Sequence, residues 1–157
     1  DAKPLELGHV VRADTRWRLF VFCPDEDPAG DDAAIARLGR FLGEAPNSPL
    51  RRHTRANEDA DSVLDVRAIF QQATRDLALE TLPAFLKPRK GKYGLVDYEK
   101  MFCAEPKPGR DIFDLRGIDR KKGCIVIVRP DQYVAHVLPI DAYDELAKFF
   151  DGFMVPG

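Results

Sequence analysis

Apolar residues alternate with polar ones, or form short unbroken runs, in four stretches of strand length, and a turn joins the last two. Cys124–Val128 is an apolar run rich in β-branched residues, typical of a strand covered on both faces. Arg129–Gln132 has proline at the second turn position, and Tyr133–Leu138 returns as a strand. Asp141 is the expected N-cap of a final helix whose apolar face carries Ala142, Leu146, Phe149, Phe150 and Phe153. The chain is therefore predicted to end in β-turn-β-α.

The first half of the chain predicts a β-α-β unit. Trp17–Phe22 and Val63–Phe70 have the alternation and the apolar ends of central strands. Between them, Asp31 or Asp32 is expected to cap a helix that runs to Leu42, with Gly43 as its C′ residue.

The connections between these units are less regular. Residues 1–13 are interpreted as a connector from an upstream domain, with a possible short strand at Val10. A polar loop is expected over 45–61, a helix over 72–86 interrupted near Pro83, and an irregular insertion at about 87–110. One helical turn is expected at Asp111–Arg116. This order predicts a thioredoxin-like three-layer α/β/α fold with a mixed sheet over residues 14–157.

Composition narrows the class of protein without identifying a function. A chain of 157 residues with 45% hydrophobic and 32% charged residues is expected to form one globular domain. The net charge of −2 provides no global attraction for nucleic acid, and no apolar run is long enough to span a membrane. Three widely spaced cysteines argue against a disulfide framework and favour a reducing, cytoplasmic location. Because the first residue is Asp1 and not methionine, we expect a larger parent protein.

The hairpin sequence GCIVIVRPDQYVAHV resembles the C-terminal domain of class A flavin-dependent aromatic hydroxylases, where V-R-P-D-G-Y-V is usual. The likeness is greatest to the subgroup of phenol 2-monooxygenase and 3-hydroxybenzoate 4-monooxygenase. RKGKYGLVDYEKMF at 89–102 and DIFDLRGIDR at 111–120 are similar to that subgroup too, whereas Gln132 departs from the usual glycine.

This resemblance implies a thioredoxin-like domain of a parent enzyme that uses FAD, NADPH and O₂ to hydroxylate a phenolic ring. It implies packing against the parent catalytic FAD domain and formation of a homodimer. No G-x-G-x-x-G or Walker A sequence is present, so no cofactor site is expected in this segment. The histidines share no metal-ligand spacing with each other or with the cysteines, so no metal site is expected. The resemblance implies that the catalytic residues lie outside this segment.

A thioredoxin-like element order raises the alternative of a thiol-dependent redox protein that uses Cys23. This residue follows the first strand and precedes a helix, which is where redox-active members place their nucleophile. However, residue 26 is glutamate, so there is no C-x-x-C motif, and the acidic sequence CPDEDPAGDD opposes thiolate formation. A buried structural cysteine is the favoured interpretation.

The irregular insertion carries more apolar side chains than is usual for a solvent-exposed loop that contacts nothing. Its aromatic and aliphatic residues either pack onto the domain's own sheet or meet another protein surface, and the sequence leaves these two options equal. The candidates for a partner interface are Tyr93, Leu95, Tyr98, Met101 and Phe102.

Overall fold

The computed structural model describes residues 4–105 and 111–157, and its centre is a five-stranded mixed sheet. The strands are β1 (Trp17–Phe22), β2 (Leu64–Phe70), β5 (Met101–Cys103), β6 (Cys124–Val128) and β7 (Val134–Leu138), and a separate two-stranded hairpin consists of β3 (Arg89–Lys90) and β4 (Leu95–Val96). The helices are α1 (Ala34–Glu44), α2 (Pro49–His53), α3 (Ile112–Arg116) and α4 (Tyr143–Asp151).

The strand order is β5-β2-β1-β6-β7, with β1 in the middle. β1 and β2 are parallel, and β5 is parallel to β2 at the edge of the sheet. β6 is antiparallel to both of its neighbours, β1 and β7, so β7 runs in the same direction as β1. The mixed sheet and the β-α-β and β-β-α halves confirm the predicted thioredoxin-like fold.

Helices α1 and α4 cover one face of the sheet, which we call the helix face. Their buried side chains, among them Leu38, Leu42, Leu146 and Phe150, pack on the inward side chains of β1, β2 and β6. Trp17 closes one end of this core, with its ring 5.7 Å from that of Phe150 and 5.0 Å from that of Phe153. The predicted apolar stripe of the last helix is thus correct at Leu146 and Phe150.

The other side of the sheet, which we call the second face, has a smaller core and a thinner cover. Phe20, Phe22, Ile69 and Val128 pack there against Phe113 of α3. A 3₁₀ turn at Leu7–Val10 also lies against this core, at the place where a strand was thought possible. That strand expectation was wrong, because the segment packs through Leu7 and Val11 without joining the sheet.

The predicted helix over 72–86 was also wrong. The segment forms three 3₁₀ turns, at Thr74–Asp76, Leu79–Thr81 and Ala84–Leu86. The Pro83 ring lies directly beneath Gly39 of α1, where an added Cβ would be 2.8 Å from the Pro83 Cβ. Proline lacks the N–H that a continuous helix needs, and burial of Leu77, Leu82 and Leu86 holds the segment against the sheet.

Several helix ends differ from the prediction by a few residues. α1 begins after Ala33, and the Glu26 carboxylate, not Asp31 or Asp32, accepts a hydrogen bond from the Ala34 N–H at 2.5 Å. Gly43 lies inside α1, and α4 begins after Ala142 instead of Asp141. The polar loop over 45–61 contains the unpredicted helix α2, which Ser48 caps through its hydroxyl.

Candidate interaction surfaces

The insertion that follows β2 divides into an exposed hairpin and an edge strand. Tyr93, Leu95 and Tyr98 lie on or beside the β3–β4 hairpin with 56–76% of their surface exposed. Met101 and Phe102 are half-buried in β5, where they pair with Ala68 and Ile69 of β2. The structure therefore separates the five candidate interface residues into three outward side chains and two that belong to the sheet.

Charged side chains of the same insertion point into the domain. The Lys90 ammonium lies 2.8 Å from Asp61 and 3.0 Å from Asp97, and the Gly91 N–H donates to Asp59 at 3.1 Å. These contacts attach the hairpin to the loop that precedes β2. The insertion thus packs internally through its charges while it presents its aromatic side chains outward.

Beneath the hairpin lies a buried group of charges, Arg18, Asp61, Asp65 and Lys100, which we call the ion cluster. The Lys100 ammonium is 2.5 Å from both Asp61 and Asp65 and is 1% exposed. The Arg18 Nε lies 3.7 Å from Asp65, and Arg67 donates to the same carboxylate at 2.9 Å. Each buried carboxylate therefore has at least two cationic neighbours.

Burial and charge act in opposite directions on these carboxylates. Burial by itself raises the pKa of Asp61 and of Asp65, because it disfavours the charged form. Lys100 opposes this for both residues, helped by Lys90 at Asp61 and by Arg67 at Asp65, and the pKa of each falls below its ordinary value. Both groups are accordingly ionised at neutral pH.

The sequence interpretation missed this cluster. Asp65 and Arg67 alternate with apolar residues in β2, a pattern typical of a strand with one solvated face, yet Asp65 is fully buried. Arg18 and Asp65 occupy paired positions in β1 and β2, so the opposite charges meet directly. The sequence does contain one charge of each sign in two apolar strands, Arg18 in β1 and Asp65 in β2. Their pairing can be inferred only when the register between the two strands is known.

The β7 edge is a second exposed apolar surface, and it lies at the opposite side of the sheet from the hairpin. Val134 and Val137 are 61% and 53% exposed, and Tyr133 beside them is also exposed. An open groove of about 1040 Å³ runs along the second face from Leu7 and Val11 to these valines, over a floor that includes Phe20 and Val126. The β7 edge and the β3–β4 hairpin are therefore separate apolar surfaces of the described residues.

Cys23 lies at the end of β1, as predicted, but its thiol is not available for chemistry. The residue is 3% exposed, and burial, reinforced by the charge of Glu26, raises its pKa far above the ordinary thiol value. Thiolate nucleophiles require the opposite shift. The structure offers no support for the thiol-dependent alternative.

The start of α1, the helix that follows β1, does not suit the pyrophosphate of a dinucleotide. A pyrophosphate binds at a helix N-terminus that follows a strand, through free N–H groups. Here the Glu26 carboxylate already accepts from the first N–H of α1, and its negative charge would repel phosphate. The residues present therefore do not fit FAD or NADPH at this position.

Within residues 4–105 and 111–157, no group of three His, Cys, Asp or Glu side chains is placed to hold a metal ion. In that part of the chain, no helix combines the length and the apolar character that crossing a bilayer requires.

Comparison with known proteins places these surfaces in context. Residues 1–157 match the model of the family described as phenol hydroxylase, C-terminal dimerisation domain. The chain is 53% identical over 155 residues to 3-hydroxybenzoate 4-monooxygenase of Comamonas testosteroni, covering 98% of this chain and 24% of that protein. It is 28% identical to an FAD-dependent monooxygenase of Aspergillus terreus and 28% identical to a phenol 2-monooxygenase of Aspergillus fumigatus. These matches cover 98% and 97% of this chain, and 25% and 24% of the two fungal proteins.

The chain thus spans about a quarter of the length of the curated relatives it matches. Those relatives are monooxygenases, and the matched part is their dimerisation domain and not a complete enzyme. The predicted resemblance is confirmed: this chain belongs to the family of phenol hydroxylase C-terminal dimerisation domains.

Proposed function

We propose that this chain is the non-catalytic C-terminal domain of an FAD-dependent monooxygenase that uses NADPH and O₂ to hydroxylate a phenolic ring. The observation that carries the proposal is 53% identity to a 3-hydroxybenzoate 4-monooxygenase over nearly the whole chain. Residues 1–13 then form the connector from the catalytic part of a cytoplasmic enzyme, and residues 14–157 form the domain.

The chemistry of the described residues supports a non-catalytic role. The thiol at the end of β1 is buried, and the helix that follows has a carboxylate where a phosphate would bind. Substrate and flavin contacts therefore belong to other parts of the parent enzyme.

Two apolar surfaces suit a domain with two protein neighbours, its own catalytic domain and a second subunit. We assign the exposed face of the β3–β4 hairpin, with Tyr93, Leu95 and Tyr98, to the catalytic domain. Aromatic residues are enriched at such contacts, and the internal ion pairs of Lys90 fix the hairpin in place before it binds. The half-buried Met101 and Phe102 then act as support from β5 and not as contacts.

The activity is tested on the full-length protein that contains this chain. We expect NADPH oxidation that depends on added phenol or 3-hydroxybenzoate and yields a product one oxygen atom heavier. Absence of such oxidation with a panel of phenolic acids and phenols would contradict the proposed reaction. The 157-residue chain is titrated with FAD in parallel, and saturable binding in the micromolar range, about −8 kcal/mol, would contradict the non-catalytic role.

The hairpin assignment is tested by hydrogen exchange of residues 87–102 in the full-length protein and in the 157-residue chain. We expect stronger protection of this segment in the full-length protein. Residues 64–70 of β2 serve as the internal control, because they are central in the sheet in both proteins. Equal protection of the segment in the two proteins would mean that its burial is entirely internal.

A further inference from the structure

The edge formed by β7 has one of the features by which natural sheets block association, a register irregularity opposite Ile127/Val128, but it carries neither lysine nor proline. Protected edges carry lysine, inward-facing charges or proline, or are covered by a helix or loop. The β7 sequence VAHVL contains no Lys, Asp or Glu, and its one polar ring, His136, stacks on Phe149 of α4 at 5.6 Å on the helix face. Within residues 4–105 and 111–157, a strand pairs with β7 on one side only, the side of β6. This edge is therefore available for another strand.

The two exposed valines of β7 point to the same face of the sheet. Val134 lies opposite Val128 and Val137 lies opposite Val126, and both partners line the second face. Their separation by three positions, where a regular strand would require two or four, results from the register irregularity at Ile127/Val128. Because of the extra residue, Ala135 joins the helix face, where it lines a surface depression with Phe149 and Phe153 that Val134 also borders from the strand edge. His136 lies on the helix face too, stacked on Phe149.

This arrangement is self-complementary. If two β7 strands pair antiparallel about an axis between Ala135 and His136, Val134 of each copy lies opposite Val137 of the other on the second face. Ala135 then lies opposite His136 on the helix face, so every pair matches in face. A two-fold contact requires such a patch, in which residue i meets j and j meets i.

We propose that a second copy of this chain docks on the β7 edge by this antiparallel pairing, so that the two sheets join into one of ten strands. The inference rests on the proposed role in subunit association and names the surface that performs it. The pairing covers the exposed valines and extends the groove of the second face across the two-fold axis, which adds apolar area beyond the strand itself. The hairpin at the other edge of the sheet stays free for the catalytic domain.

The test measures the mass of the 157-residue chain by sedimentation velocity from about 1 to 100 µM. We expect a species of twice the 17.7 kDa chain mass, in concentration-dependent equilibrium with the monomer. Val134→Lys and Val137→Lys each place a charge at the pairing seam, and each should weaken the dimer by at least about tenfold. Tyr93→Lys and Leu95→Lys at the opposite edge are matched controls, exposed apolar residues changed in the same way, and should leave the dimer intact.

The double variant Val134→Lys with Val137→Glu tests the register itself. In the proposed pairing, the lysine introduced in one copy faces the glutamate introduced in the other, twice per dimer, so association should recover most of the loss seen with Val134→Lys. Circular dichroism and thermal unfolding of each variant verify that the monomer remains folded, as expected for positions that are more than half exposed.

The possible outcomes distinguish failure of the proposed β7 surface from failure of the proposed dimerisation. A dimer that tolerates both lysine variants overturns the β7 surface and leaves dimerisation by this domain standing. A dimer that is disrupted by the single variants but not restored by the double variant overturns the register. A wild-type chain that remains monomeric throughout the range overturns both the surface and the claim that this domain dimerises by itself.

Discussion

Replacement of Lys100 by methionine tests whether the ion cluster holds the insertion to the sheet. The change keeps the length and the buried aliphatic stem but removes the charge 2.5 Å from both Asp61 and Asp65. Loss of one partner of a buried ion pair typically costs about 3–5 kcal/mol, because the remaining charge is left uncompensated. Here Asp65 keeps Arg67 at 2.9 Å, and Asp61 keeps Lys90 at 2.8 Å. We therefore expect the lower limit, about 3 kcal/mol.

This loss is measured by urea unfolding at pH 7. For a domain of this size, about 3 kcal/mol corresponds to a fall in Tm of roughly 6–12 °C. Lys92→Met is the matched control, because Lys92 lies in the same insertion but is exposed, and it should change stability by less than about 0.5 kcal/mol. The double variant Lys100→Met with Asp65→Asn should be less destabilised than the sum of the two single variants, because the two residues interact directly.

A loss below about 1 kcal/mol for Lys100→Met, or additive effects in the double variant, would refute this account. The ion cluster would then contribute little beyond filling space. Hydrogen exchange of residues 87–103 in Lys100→Met locates the effect, since the account requires this segment to lose protection before the α1 and α4 core does.

Four further predictions concern single positions and pH. Folding lowers the pKa values of the ion-cluster carboxylates, so the stability that these groups provide is complete above their ordinary pKa of 3.8. This stability is lost as the pH falls through the lowered pKa values of the folded state. Urea unfolding midpoints that stay constant down to pH 2 would contradict this. Gly123→Ala should lower the free energy of unfolding by about 3 kcal/mol or more, because φ is +63° and the added Cβ would lie 2.2 Å from a β1 carbonyl oxygen. The control Gly117→Ala has the same φ but open space around the added Cβ, and it should cost only about 1–2 kcal/mol in the same unfolding assay. Equal losses for the two variants would refute the steric argument. Leu146→Ala should cost about 2–5 kcal/mol in urea unfolding, and a loss under about 0.5 kcal/mol would show that this face of α4 is not buried. Cys23 should resist alkylation in the folded chain when followed by mass spectrometry against pH, and an apparent pKa well below about 8.5 would revive the thiol hypothesis.

The hairpin turn shows how far a local pattern extends. Its position was predictable because an apolar run, a proline turn and a second strand follow each other within a few residues. The Gln132 N–H donates to the Arg129 carbonyl at 2.9 Å, and Gln132 itself has φ +69°. Glycine adopts that conformation without steric cost, which explains why the family pattern has glycine here and why glutamine keeps the hairpin at some cost in strain.

The sequence by itself determined β1, β2, β6, β7 and the apolar stripe of α4. β1, β2, β6 and α4 each bury a face whose period is written in consecutive residues, so a short window contains the necessary information. The turn that precedes β7 marks that strand. The sequence also determined the family, because the hairpin motif is contiguous.

Only the tertiary structure decided what happens between these elements. Asp65 is buried because Arg18 of β1 and Lys100 beside β5 join Arg67 of its own strand around it, and no short window of the sequence contains the first two contacts. The segment at 72–86 forms 3₁₀ turns and not a helix because Pro83 packs beneath α1. The residues of the segment do not by themselves reveal this contact. The irregularity in β7 likewise depends on its pairing with β6. The register of the strands and the order of their neighbours are long-range properties. They alone bury the charges of the ion cluster and leave the apolar β7 edge without a second neighbouring strand in the described part of the chain.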